Sequence, residues 1–288
     1  MIQGMTGLGS ADPKQLGPYR LHGVVGEGRM GTIYLGRGAP RRGERKQWVA
    51  VRALRPELLR DRPLRARLRR DIQVAAGCVR SPYVAEAAGC ELDSEQPWIA
   101  GEFVPGPSLE FLVAQYGPLP ESAVRALGGA LAKALTALHT AQLTHRDLGP
   151  HNVLLAADAP RVVDYGLGMG RTGLGSGGGG WADDVFELGA TLVVAASAHS
   201  PFAGSMLPMA REDPDLTGVP ESLCPALLAC LHKTPESRPP LNVLTHAFDL
   251  ADTAENPTAH WLPAACMKEI DSVADAARRM SGRRLFGR

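Results

Sequence analysis

Up to Pro105 the apolar residues of this chain alternate with a period of two, and beyond it they recur at helical spacing. That change of period demands a β-rich part followed by a helical part. From Tyr19 an alternating run reaches Gly26-Glu-Gly-Arg-Met-Gly31 and resumes as Thr32-Ile-Tyr-Leu35; a third run is Trp48-Val-Ala-Val-Arg52. Strand, glycine turn, strand, loop, strand predicts an antiparallel sheet, which apolar segments around 83–90 and 97–104 would complete. One helix interrupts it over 64–78, where Leu64, Leu68, Ile72 and Ala75 follow Pro63 at helical spacing. Past Pro105, a long amphipathic helix is predicted over Glu121–Leu143. Others follow over Val185–Ala198, Leu223–His232, Leu241–Asp252 and about Ala264–Met280. Asn152-Val-Leu-Leu155 and Arg161-Val-Val-Asp-Tyr165 read as short strands, and Gly166 to Gly180 shows no periodicity.

Two kinds of phosphate-binding turn share the spacing of Gly26, Gly28 and Gly31. A dinucleotide-binding turn opens a helix at its third glycine. Here Thr32, Ile33 and Tyr34 follow, β-branched and aromatic, so the chain runs on as a strand and the dinucleotide reading fails. A glycine turn between antiparallel strands can fold over phosphates and offer them backbone N–H groups. Alone, it is equally a glycine-rich hairpin.

More specific is His145-Arg-Asp-Leu-Gly-Pro-His-Asn-Val-Leu-Leu155, followed by Val163-Asp-Tyr-Gly166. The pair resembles the catalytic loop and the metal-binding turn of protein kinases in order and separation. With the glycine turn, Val49-Ala-Val-Arg52 and Asp184-Val-Phe-Glu-Leu-Gly189, five motifs stand in family order over about residues 19–250. Their wording is most similar to bacterial Ser/Thr kinases of the eukaryotic-like type. An isolated Asp or Asn after a strand is more often a turn former than a ligand; the joint spacing is what gives these residues a chemical reading.

The resemblance implies an α+β, two-lobed protein-kinase-like fold, with a small antiparallel β lobe carrying one helix and a larger, mainly α lobe. The lobes fall at 19–104 and 105–252, between a flexible leader (1–18) and a C-terminal helix and tail (253–288). It implies ATP and Mg2+ as cofactors. Asp147 would accept the proton of an attacking hydroxyl, while Asn152 and Asp164 would hold magnesium, a hard cation that calls for oxygen ligands. Gly26, Gly28 and Gly31 would cover the phosphates. Ile33, Ala50 and Leu154 would sandwich the adenine, whose edge would meet the backbone of Glu102 to Val104. Gly101 stands where a side chain usually closes a back pocket, which is therefore expected to be open. His145 and His151 read as structural, the second at a variable position.

Four departures from the pattern bear on activity. The family's phosphate-contacting lysine is Arg52, planar and longer, and the helix glutamate that pairs with it is Asp71, shorter by one methylene. The two changes are complementary, so an Arg52–Asp71 ion pair within about 4 Å is expected. The lysine two residues after the catalytic aspartate is Gly149, and losses of transition-state charge stabilisation of this kind cost a factor of roughly 10² or more. The nearest basic groups are expected to be Arg29, at the tip of the glycine turn, and Arg146. Finally, only the glycine-rich run separates Gly166 from Asp184, and no Ala-Pro-Glu occurs. Thr172 and Ser176 read as solvent-facing filler there rather than as phosphosites. Arg146 has no obvious partner, and Arg238, which in the family meets the missing glutamate, must be partnered otherwise or exposed. The stretch from Pro201-Phe202 to Asp215-Leu216 is short for a substrate-docking helix.

A net charge of +1 points to no nucleic-acid partner. Five scattered cysteines fit reduced thiols in a cytoplasm, and the N-terminus lacks the basic stretch and apolar run of a signal peptide. The longest apolar run, Leu188–Ala198, is about half of the roughly 20 residues a membrane span needs. The last helix, with Arg278, Arg279, Arg283, Arg284 and Arg288 late in it or beyond, is expected to cap the large lobe and end in a solvated tail. Three functional readings follow, in decreasing order. The first is a degenerate, pseudokinase-like domain that binds ATP and signals through an unidentified protein partner. The second is an active Ser/Thr kinase using Asp147 as base. The third is a small-molecule phosphotransferase.

Overall fold

The computed structural model describes residues 5–28, 30–39, 45–167, 180–202, 212–248 and 261–280. Contacts divide the chain into two compact units. One comprises Met1–Arg80, Ala85–Pro107 and Glu269–Arg288; the other comprises Ser81–Val84 and Ser108–Lys268.

The first unit is a six-stranded antiparallel sheet in the order β1-β2-β3-β4-β6-β5. Its strands are β1 (Gln15–Leu16), β2 (Tyr19–Gly28), β3 (Gly31–Gly38), β4 (Gln47–Leu54), β5 (Ala87–Glu91) and β6 (Trp98–Glu102). Alternation sorts the apolar residues onto two faces. Tyr19, Leu21, Tyr34, Val49, Val51 and Trp98 cluster on one, and Val25, Leu35 and Phe103 on the other. Helix α1 (Arg62–Cys78) buries Leu68, Ile72 and Ala75. It begins two residues before the predicted 64 because the Asp61 carboxylate accepts the Leu64 N–H and caps it. Its exposed face is tied to the β5–β6 turn through Arg65 and Arg69, both paired with Asp93.

Two expectations are corrected here. Residues 5–18 are no loose leader. Thr6 bridges Val24, β1 extends the sheet with Leu16 buried, and Asp12 accepts the Tyr34 hydroxyl at 2.8 Å. Burial and that carboxylate push the Tyr34 phenol up to about 12. Few apolar residues mark the segment, so composition alone hid its pairing. The last helix, α7 (Ala264–Met280), does not simply cap the helical part. Its second half belongs to the sheet unit: Ala277 is buried against Val25, Leu35 and Phe103, and Met280 fills the side-chain space that Gly23 leaves vacant.

The second unit holds α2 (Leu109–Tyr116), α3 (Glu121–Thr140), the hairpin β7 (Val153–Leu155) and β8 (Pro160–Val162), α4 (Trp181–Ser197), α5 (Cys224–Cys230), α6 (Leu241–Ala247) and the start of α7. Helix α3 buries Val124, Leu127, Leu131, Leu135 and Leu138 along one stripe. It stops before the predicted Leu143 because Gln142 takes a left-handed turn, φ 59°. Helix α4 starts at Trp181, four residues ahead of prediction, where the Asp183 carboxylate accepts the Gly180 N–H. The remaining predicted helices are present with shorter ends, and residues 249–252 lie outside the described residues. All five cysteines are free thiols. Among the described residues no helix is long and apolar enough to cross a membrane.

Candidate active site

In the sheet unit the glycine turn is a hairpin. Gly26 pairs with Ile33, Glu27 with Thr32, and Gly28 with Gly31. Gly31 has φ 140°, and a Cβ there would collide with the Ala53 carbonyl oxygen, so no other residue fits. Arg55 ties the turn from β4's end, its N–H to Met30 O at 3.0 Å and its guanidinium to Gly28 O at 3.3 Å. Arg29 lies outside the described residues. Register then places the other candidates: Ile33 opposite Arg52, Ala50 opposite Gly101, and Val49 opposite Glu102. Ile33 and Ala50 are half-buried beside the Val25–Leu35 cluster. Glu102 is clasped to Glu86, donating its N–H to Glu86 O at 2.7 Å and accepting the Glu86 N–H on its carboxylate. Val104 is buried and accepts the Gly106 N–H. A Cβ on Gly101 would meet Glu86 O at 3.1 Å and, among the described residues, no side chain within 4 Å. Asp71 sits on α1 with Oδ1 4.0 Å from Arg70 Nε.

In the helical unit the loop from His145 to Asn152 has no ladder of its own, so its buried amides need acceptors from elsewhere. Helix α4 supplies them from one face. Asp184 accepts the His145 N–H at 2.9 Å and the Arg146 N–H at 3.0 Å. Glu187 accepts the Leu148 N–H at 2.8 Å, and the Thr191 hydroxyl reaches Leu148 O. Spacings of three and four residues put all three side chains in line along the helix. Asp184 is 1% exposed and also meets His139 Nε2 at 2.7 Å.

His145 in turn fixes the turn from Val163 to Gly166. Its ring is fully buried, and burial lowers its pKa, so the imidazole is neutral. Nδ1 accepts the Asp147 N–H, and Nε2 donates to Val163 O at 3.1 Å. Its carbonyl accepts the Gly166 N–H at 3.1 Å. Asp164 is thus bracketed on both sides by one residue and held at φ 59°, a left-handed strain that the surrounding bonds must hold in place. The β7–β8 ladder continues as Val163 N–H to Asn152 O at 3.0 Å, which brings Asn152 and Asp164 to the same end of the hairpin. Asn152 Nδ2 donates to Asp147 O at 2.8 Å and to Asp147 Oδ2 at 3.3 Å. Leu154 lies on β7 and bridges Ser108. Mg2+ keeps several waters and takes one or two protein oxygens plus phosphates, so the Asn152 and Asp164 side chains are a fitting donor set. Among the described residues no cluster of three or more His, Cys, Asp or Glu offers a different metal site.

The departures have physical answers. Arg238 is not exposed. Its guanidinium lies 3.3 Å from Asp183 Oδ1, with side-chain exposures of 3% and 8%. It also donates to Ala182 O and His232 O and covers the Phe186 ring. Asp183, in the first turn of α4, supplies the carboxylate that an Ala-Pro-Glu segment would have brought. Arg146, at φ 70°, donates its Nε to Thr144 Oγ1 at 2.8 Å. Gly149 is backed by the imidazole of His151, whose Nε2 lies 3.5 Å from Asp147 Oδ2. Thr172 and Ser176 lie outside the described residues.

Burial pushes the Glu187 carboxyl up to about 8, against the Leu148 N–H, which favours ionisation. A raised carboxyl pKa destabilises the fold between the unfolded and folded values. Nothing is lost below about 4.5, and stability falls as pH rises towards 8. Glu187→Gln keeps an acceptor for Leu148 without the charge. Its unfolding free energy relative to the parent should therefore rise by at least about 1.4 kcal/mol, one pKa unit's worth, between pH 5 and pH 8.5. Urea titrations at both pH values check this; a pH-independent difference contradicts it.

The sequence pattern of the protein kinase domain matches residues 19–172. The chain belongs to the protein kinase family. The serine/threonine-protein kinase AfsK of Streptomyces griseus is 35% identical over 95% of this kinase-family chain and 36% of its own length. AfsK of Streptomyces coelicolor is 35% identical over 88% and 35%. The probable serine/threonine-protein kinase PkwA of Thermomonospora curvata is 34% identical over 81% and 34%. These relatives place the chain among bacterial eukaryotic-like Ser/Thr kinases, and it spans about a third of the length of each. The kinase-domain match ends at residue 172, inside the run that lacks Ala-Pro-Glu.

Proposed function

We propose that this chain is an ATP-binding, degenerate Ser/Thr kinase domain with weak or no phosphotransfer that signals through protein contacts in the cytoplasm. The observation that carries the reading is the contrast within one loop. Asp147 and Asn152 are held in a bonded arrangement, while position 149, two residues on from the aspartate, bears no side chain. ATP is to be covered by Gly26, Gly28 and Gly31, with its adenine between Ile33, Ala50 and Leu154 and its edge on Glu102 to Val104. Mg2+ is to sit on Asn152 and Asp164. Arg52 and Asp71 form a sheet-to-helix ion pair that keeps the architecture and degrades phosphate alignment, since a guanidinium does not place charge as an ammonium does. Five free thiols suit a reducing compartment.

The second reading, an active Ser/Thr kinase with Asp147 as base, is favoured by the retention of Asp147, Asn152 and Asp164 together.

Thermal unfolding with ATP, with and without Mg2+, run beside transfer from radiolabelled ATP to a generic protein substrate, separates the two. At 100-fold excess over Kd a ligand adds about 2.7 kcal/mol, or roughly 5–10 °C for a domain of this size. The proposal expects that shift, with transfer at least about 100-fold below an intact family member. Arg52→Lys with Asp71→Glu should then raise transfer more than either change alone. Brisk transfer abolished by Asp147→Ala would replace the proposal by the second reading, and no shift with either nucleotide form would end both.

A further inference from the structure

We infer that His151 is a positioning residue for Asp147, seated in the space that Gly149 leaves open; this deepens the proposed function and rests on it. Three observations converge. The His151 imidazole Nε2 lies 3.5 Å from Asp147 Oδ2, one helical turn along the loop. Asn152 Nδ2 reaches the same oxygen at 3.3 Å, so two donors from successive residues hold one carboxylate oxygen and fix the rotation of the group. A Cβ built on Gly149 would stand 2.7 Å from His151 Cε1 and 2.9 Å from Nδ1. The ring therefore fills the space where any side chain at 149 would begin.

The glycine is not there for its backbone. Gly149 has φ −149° and ψ 169°, open to every residue. Its missing side chain serves one visible purpose, room for the imidazole. Lysine at 149 and the His151 ring in this place exclude each other, and the chain has the second arrangement. His151 and Asp147 are 45% and 39% exposed, so neither is a packing residue of the core. The contact leaves a reacting hydroxyl a carboxylate of fixed orientation, where an unrestrained one would lose alignment. An imidazole N–H does this without the compact positive charge of an ammonium. Asp147 can then be well oriented while phosphoryl charge stabilisation is poor.

The test uses the full chain and three variants, His151→Ala, His151→Gln and Gly149→Ala. In 15N-histidine NMR without nucleotide, the His151 resonance should report an Nε2-protonated ring and should move when Asp147 is changed to Asn. In residual γ-phosphate transfer, His151→Ala should lower kcat at least 5-fold with KM for ATP and melting temperature unchanged. His151→Gln, which restores an N–H donor, should recover part of the loss. Gly149→Ala should copy His151→Ala, because its methyl displaces the ring. A His151 resonance indifferent to Asp147→Asn, or a Gly149→Ala variant with parental kcat, overturns the assignment while leaving nucleotide binding intact. A parent chain that shows no thermal shift with ATP, with or without Mg2+, overturns the underlying reading and this one with it.

Discussion

Replacing Asp183 by alanine is expected to destabilise the helical unit by about 3–5 kcal/mol, the cost of stranding one partner of a buried ion pair. The guanidinium of Arg238 is 3% exposed and would keep its charge in a site that already lowers its pKa by burial. Its two carbonyl contacts, Ala182 O and His232 O, satisfy donors but do not neutralise it. Arg238→Met removes the charge as well as the contact, so the double variant Asp183→Ala/Arg238→Met should regain most of the loss. Denaturant midpoints of the four chains form the cycle that measures it. A double variant no better than Asp183→Ala would mean that Asp183 acts as the cap of α4, through Gly180, and not as the counter-ion. The helical unit thus closes the Arg238 charge with an acid three residues before the Phe186 ring that the guanidinium covers.

The sheet and the loop chemistry were legible for different reasons. Alternation around Tyr19, Ile33 and Val49 fixes strands by period, and the β-branched residues after Gly31 exclude a helix there. Helix α2 left no such trace. Its eight residues make barely two turns, and Ser108, which caps it through the Phe111 N–H, is followed three residues later by Phe111 and not by an acid, so no capping box announces it. Of the site, the residues that would touch substrate were readable as a motif with a chemical role, whereas the motif from Asp184 to Gly189 was readable without what it holds. Asp184, Glu187 and Thr191 did carry a signal: two acids and a hydroxyl at helical spacing inside an apolar helix, where a charge must have partners to be buried. Their partners are backbone amides, which sequence does not display. His151 was hidden more deeply. Its meaning depends on the emptiness of Gly149, and a glycine next to a histidine reads as two neutral facts until the ring is seen filling the gap.

The last expected result concerns the carboxylate on which the whole loop hangs. Asp184→Ala should cost more than about 3 kcal/mol, because it orphans the His145 and Arg146 N–H groups together, at roughly 1–3 kcal/mol each, and leaves His139 without its 2.7 Å partner. The damage should be local first. His145 carries the Asp147 N–H on one ring nitrogen and Val163 O on the other, so freeing its backbone loosens Asp147 and the 163–166 turn in one step. Hydrogen exchange at the amides of 145–148 and 163–166 should quicken by 10-fold or more, while strands β2 to β4 keep parental rates. Asp184→Asn is the informative companion. Its remaining carbonyl oxygen can serve one or both amides, but its NH2 group presents a donor where only donors now point. It should therefore fall between alanine and the parent in stability while exchange at 163–166 stays nearly parental. Equal exchange in parent and Asp184→Ala would show that α4 does not hold the loop, and the retained geometry of Asp147, Asn152 and Asp164 would then need another cause.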